Sequence, residues 1–415
     1  TPCGTLFPYT TLFRSGMIGP LALAAIGASN FLLWIMFCIS EGLGVGINSL
    51  VSRAYGAKNI KKLCKISSIG IRLGCVIAFL MMIFIPPFLT TIFSKMHLDE
   101  FVMAKAIIYL KIIIIGYPVI TIMIANNSIF RGVGDSKTPL KILIISLIIN
   151  TFLTPALIFG IAFFPELGIA GGALASVISN MFGSVVGFII LKQRKLLPDF
   201  FPKCSDLAIC VDIVKIATPL AVNQVVFCIV YMFITKIVAK FGSAPIAALA
   251  IGHRVESVMY CLCVGLSIAA TTLVAQNIGA GDVKKAKKIA YMINLYTVFI
   301  IGFICTFLIF FANVISKVFT NDFQIIANST SYLTIIALTD IFMALEIVMG
   351  GVLSGIGNTK PTLEIGLPLN VARIPIAYFL AKFLGISGVW WAIGISSVFK
   401  GILMTIMGKI SFRKV

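Results

Sequence analysis

Eleven long apolar runs dominate this chain of 415 residues. They fall near residues 21 to 52, 66 to 93, 106 to 130, 140 to 163, 168 to 191, 208 to 239, 245 to 275, 289 to 315, 325 to 353, 363 to 383 and 387 to 408. Each is long enough to cross roughly 30 Å of hydrocarbon as a helix. With 60% apolar side chains, 11% charged ones and a mean hydropathy of +1.09, a soluble globule is excluded. The net charge of +19 is concentrated in short loops between the runs, which separates the chain from a nucleic-acid binder. Ten cysteines without a paired Cys-x-x-Cys spacing, and two distant histidines, His97 and His253, argue against a zinc site or a disulfide framework.

The loops alternate in charge. One set, holding Lys58 to Lys65, Arg131 to Lys141, Lys192 to Lys215, Lys284 to Lys288, Lys360 and Lys409 to Lys414, carries most of the Lys and Arg and is assigned to the cytoplasm. The other set, around Lys95 to Lys105, Glu166, Lys240, Lys317 to Asp322 and Lys382, faces outward. The C-terminus is then cytoplasmic. Residues 1 to 15 have neither a basic head nor an apolar core. They are read as a non-native or disordered segment, joined where a twelfth, upstream helix is expected.

The chain is also a duplication. A constant shift of 223 residues superimposes 24 to 66 on 247 to 289, with 14 of 43 positions identical. Tyr109-Leu110 matches Tyr332-Leu333 at the same shift, and Arg131-Gly-Val-Gly-Asp-Ser-Lys137 matches Ser354-Gly-Ile-Gly-Asn-Thr-Lys360. Leu167-Gly-Ile-Ala-Gly171 meets Leu384-Gly-Ile-Ser-Gly388 after a six-residue shortening. A full unit with an even number of spans enters the membrane the same way twice, so the repeats are parallel. The fold class is therefore an all-α polytopic membrane protein of two six-helix-type lobes, the first short of one helix. The expected divisions are 16–195 for the first lobe, 196–206 for a cytoplasmic linker and 207–415 for the second lobe.

The punctuating motifs have plain structural readings. Gly56-Ala57 and Gly279-Ala-Gly281 suit helix C-caps. The Gly-x-Gly turns after Arg131 and Ser354 lack the Gly-Lys-Ser/Thr ending of a phosphate loop, so an ion gradient rather than ATP is the expected energy source. Gly168, Gly171 and Gly172 suit close helix packing.

Several of these pieces resemble the multidrug and toxic compound extrusion (MATE) family of cation-coupled efflux transporters. They are Gly16-Met-Ile-Gly-Pro-Leu-Ala-Leu-Ala-Ala-Ile-Gly27, Leu273-Val-Ala-Gln-Asn-Ile-Gly-Ala-Gly281, Arg131-Gly-Val-Gly-Asp135 and Arg373-Ile-Pro375, and the resemblance runs from Gly16 to the C-terminus. It implies a monomeric inner-membrane antiporter that exports organic, often cationic, compounds against H⁺ or Na⁺ and needs no cofactor.

Ionisable groups inside spans are the coupling candidates, because a charge at mid-bilayer costs at least about 2.5 kcal/mol. They are Glu41, Glu256, Asp340 and Glu346, with Arg254 and Arg373 as charge partners. Glu256 leads, with a structural ion pair to Arg254 or Arg373 as its alternative reading. The family's first-lobe ion site resembles an Asp on the missing helix plus Asn-x-x-x-Asp-Pro and Gly-Ala-Ala-x-Ala-Thr segments. Here Asn150 and Ser176 stand in that pattern, while Thr154 replaces the Asp. The amides Asn126, Asn127, Asn180, Asn223 and Gln224 are candidate substrate contacts. A lipid-linked oligosaccharide flippase of the same broad superfamily is the alternative function and would need several converging cations. A membrane-embedded prenyl transferase would need Asp-x-x-Asp clusters, which do not occur.

Overall fold

The computed structural model describes residues 20–94, 99–161, 164–197 and 206–413. Residues 1–15, expected to be non-native or disordered, and most of the 196–206 linker lie outside these residues. Among the described residues no strand occurs, and eleven helices or helix pairs are long and apolar enough to cross a membrane. In order they are α1 (Pro20–Gly56), α2 (Ile60–Phe84) continued by a Pro86–Phe88 turn and α3 (Leu89–Ser94), α4 (Glu100–Gly132), α5 (Lys137–Phe159), α6 (Ile169–Gln193), α7 (Leu207–Ala239), α8 (Ser243–Gly279), α9 (Val283–Phe319), α10 (Phe323–Ile356), α11 (Lys360–Leu384) and α12 (Ile386–Ser411). These correspond one for one to the apolar runs.

The helices end where local chemistry ends them. At the first end the Asn59 amide of the backbone donates to Ala54 O, and Asp282 N donates to Asn277 O in the second copy, both at 2.9 Å. The next helix is capped in the same register, with Asn59 Oδ1 accepting from Lys62 N and Asp282 Oδ1 from Lys285 N. Here one detail of the sequence reading changes. The left-handed residue of the turn is not Gly56 but Lys58, at φ 54°, and its counterpart Gly281, at φ 81°. Gly134 and Gly357 likewise take left-handed backbone, at φ 88° and 78°, and each is followed by a six-to-one bond, Asp135 N to Phe130 O and Asn358 N to Leu353 O. The Gly-x-Gly motifs are thus helix stops.

Contacts divide the chain into two units at Ala217/Thr218, inside α7. Within the first unit α1 packs on α4, α4 on α6, α5 on α6 and α2 on α4. Within the second, the repeat partners pack in the same pairs: α8 on α10, α10 on α12, α11 on α12 and α9 on α10. In α9, Ala286, Ala290, Thr297, Ile301, Cys305, Leu308, Ala312 and Ser316 form the buried stripe, at helical spacing. Phe299, Phe303 and Phe310 on its other sides are exposed, as a lipid-facing surface requires.

Candidate functional site

In the second unit, α8 brings His253 and Glu256 to α10, which carries Tyr332, Asp340 and Glu346. Gly252 lies one turn before Glu256, and a Cβ there would strike the Tyr332 ring. That missing side chain lets Tyr332, wholly buried and edge-on to Trp390 at 4.9 Å, donate its hydroxyl to Glu256 Oε2 at 2.8 Å. His253 packs against Tyr231 of α7 with ring centroids 4.5 Å apart. Asp340, 3% exposed, lies within electrostatic reach of Glu256, and its Oδ2 has no hydrogen-bond partner.

A second group of charges adjoins these. Arg373 on α11 donates from Nε to Ser396 Oγ at 2.8 Å and from its terminal nitrogen to Ser397 Oγ at 3.4 Å, both on α12. Lys400, also on α12, contacts both carboxylate oxygens of Glu346, at 2.8 and 3.0 Å. Both cations lie over the ring of Phe227 on α7, at 5.6 and 6.0 Å from its centroid. Asn370 of α11 donates to Asn223 of α7 at 3.2 Å, and Gln224 donates to the Tyr260 hydroxyl at 3.0 Å.

The ion pair expected as the structural alternative for Glu256 is not formed. Its partner is the Tyr332 hydroxyl; Arg254 is exposed, and Arg373 is bonded to serines. The sequence reading also missed Lys400 by treating 387 to 408 as uninterrupted. The signal was there: a single Lys between Phe399 and Gly401 in an apolar run.

The first unit has a neutral cluster. Asn150 and Thr154 of α5 are fully buried, Asn150 Nδ2 reaches Ser176 Oγ of α6 at 3.5 Å, and Thr154 Oγ1 has no partner. Asn180 donates to Ser176 O at 2.7 Å, and Asn126 of α4 to Ser184 O at 3.0 Å. Asn127 is buried with its Oδ1 unpartnered, and Glu41 is half-buried beside Ser40, which bonds Tyr117.

The MatE family model matches residues 5–156 and 219–379. The chain belongs to the MatE family. MatE proteins are transporters, so the chain is a multi-pass membrane transporter and not an enzyme. It is 28% identical over 397 residues to a probable multidrug resistance protein NorM of Thermotoga maritima, covering 92% of this chain and 83% of that one. It is 26% identical over 408 residues to an FAD transporter of Shewanella oneidensis, covering 95% and 88%. A crystal structure of a MATE protein in the straight conformation shares the fold with a TM-score of 0.91 at 21% identity, covering 99% of this chain and 93% of that one. A MOP superfamily transporter from Pyrococcus furiosus does so at 0.89 and 20% identity, covering 99% and 92%.

The duplication shows how this MatE transporter differs between its units. By the repeat shifts, Arg373 stands where the first half has Asn150, Ser396 where it has Ser179, and Ser397 where it has Asn180. Glu256, Asp340, Glu346 and Lys400 stand where it has Leu33, Tyr117, Met123 and Gly183. Three polar positions are thus shared, whereas Glu256, Asp340, Glu346 and Lys400 have no charged counterpart at the matching first-half positions.

Proposed function

We propose that this MatE protein is a secondary multidrug efflux transporter that exchanges H⁺ or Na⁺ for organic, often cationic, compounds by alternating access of its two halves. It works in the inner (cytoplasmic) membrane as a monomer, with a cytoplasmic C-terminus. The observation that carries this reading is the pair Glu256 and Asp340, carboxyl groups held inside a membrane unit with few hydrogen bonds and no cation in contact. Such a group exchanges a proton, or holds Na⁺ with nearby oxygens, when its hydration changes. Multidrug resistance proteins among the relatives, from Thermotoga maritima and Bacillus subtilis, support the substrate class. Asn150, Thr154 and Ser176 supply neutral oxygens in the first unit, and Asn126, Asn127, Asn180, Asn223 and Gln224 are proposed as substrate contacts.

Charge balance disfavours the flippase alternative. Arg373 and Lys400 do meet at Phe227, but Glu346 sits on Lys400, and Glu256 and Asp340 share the unit. A site for pyrophosphate needs cations in excess.

The test is Glu256→Gln. Gln keeps the volume and still accepts the Tyr332 hydroxyl, so melting should change by no more than about 1 kcal/mol. Gradient-driven efflux of a cationic dye from everted vesicles should be lost, and equilibrium dye binding kept. Normal efflux in this variant removes Glu256 from the mechanism.

A further inference from the structure

Lys400 has no part in that scheme, yet it is among the most enclosed charges in the protein. Its side chain is 4% exposed, and Glu346 is its only hydrogen-bond acceptor among the described residues. Arg373 lies over the same Phe227 ring from the neighbouring helix α11. A buried ion pair is a poor device for stability alone, since apolar residues of similar volume serve as well without the desolvation cost. The repeat bears this out: the first half has Met123 and Gly183 at the two positions, and the same helix pair forms there without them.

We propose that Lys400 is a tethered counter-cation, which holds Glu346 while no cargo is bound and gives up a proton when a monovalent organic cation takes its place on that carboxylate. The inference rests on the efflux reading. Before binding, Lys400 is –NH₃⁺ against Glu346 –COO⁻; afterwards it is –NH₂, the cargo cation faces Glu346, and one H⁺ has passed to water. Nothing else is made or broken. The charged groups facing Lys400 are Glu346 from α10, Arg373 from α11 and Glu256 from α8; α7 offers the Phe227 ring. Arg373 is bonded to Ser396 and Ser397, and Glu256 accepts from Tyr332. A displaced ammonium therefore loses the one carboxylate that it is bonded to and stands beside a guanidinium, which favours loss of its proton. In reverse, reprotonation of Lys400 expels the cargo. Lys400 thus couples by acting through Glu346, which is the group that touches the cargo.

The experiment is binding of tetraphenylphosphonium to the purified full chain across neutral and mildly alkaline pH, with calorimetry in buffers of different ionisation heat. The parent protein should gain about tenfold in affinity per pH unit and release one proton per cation. Lys400→Arg keeps the ion pair with a group that cannot deprotonate, and should lose that proton release and weaken binding by at least about tenfold at every pH. Glu346→Gln removes the carboxylate that the probe takes, and should lose probe binding. Parental affinity and pH slope in Lys400→Arg overturn the proposal. Should that variant not fold, parental affinity and slope in Glu346→Gln overturn it equally. Absence of any probe binding to the parent, by contrast, sinks the cation-efflux reading itself, and the inference with it.

Discussion

Lys58 holds its backbone at φ 54°, where a Cβ is crowded, while Gly281 takes the equivalent position in the second half without that cost. A non-glycine residue in this conformation costs roughly 1–2 kcal/mol, offset in part by the greater freedom a glycine loses on folding. Lys58→Gly should therefore raise stability by about 0.5–1 kcal/mol, read as a higher melting temperature in detergent, and Gly281→Lys should lower it. A fall in melting temperature for Lys58→Gly would show that the exposed lysine contributes more than its backbone costs. Asp135 sets a pH range in the same kind of turn. Its partial burial favours the neutral form. The Thr138 hydroxyl and amide, together with the Arg194 guanidinium, outweigh that and hold its carboxyl at about 2, below the ordinary 3.8. A depressed value in the folded state means that the stabilisation is complete above the ordinary value and is lost as pH falls towards the folded one. Melting of the parent and of Asp135→Asn should thus differ at neutral pH and converge between 3.8 and about 2. Curves that stay apart below that range would point to a cause other than titration.

Helix packing in each unit depends on glycines where backbones come close. A Cβ on Gly351 of α10 would strike Ser267 O of α8, and one on Gly401 of α12 would strike Phe342 O of α10. Backbone cannot swing aside as a side chain does, so Gly351→Ala and Gly401→Ala should each cost about 1–3 kcal/mol. Gly265 of α8 has nothing within 4 Å of the same construction, and Gly265→Ala should be neutral or stabilise by up to about 1 kcal/mol, the ordinary helix-propensity gain. The comparison is made on melting temperatures of the three variants, and equal effects would mean that these contacts do not govern the packing. The course of α9 was legible as the apolar run 289 to 315, because the length of a span follows from hydropathy alone. The close approaches were not: Gly265 and Gly351 look alike in sequence and differ only in what stands opposite.

Across the whole molecule, the alternation of basic and poorly basic loops predicts which ends meet the cytoplasm. A cysteine replacing Lys285, at the start of α9, should react with a membrane-impermeant maleimide in everted vesicles but not in intact cells. One replacing Asp322, at the start of α10, should do the reverse. Labelling of both from one side would contradict a single crossing by α9, and a swapped pattern would invert the assigned orientation.

What the sequence determined by itself is set by short-range rules. Span lengths follow from bilayer thickness, helix ends from caps and left-handed turns, and the duplication from plain identity at a fixed shift. It also named Glu256, Asp340, Glu346 and Arg373 as costly groups inside spans. Which of them meet was decided only by the tertiary structure. Glu256 faces Tyr332, 76 residues away, rather than an arginine, because Gly252 opens the space for that ring. Lys400 finds Glu346 across 54 residues because α12 packs on α10. Long-range polar partnership depends on which helix faces pack together, and residue spacing along one helix carries no record of what lies on the next.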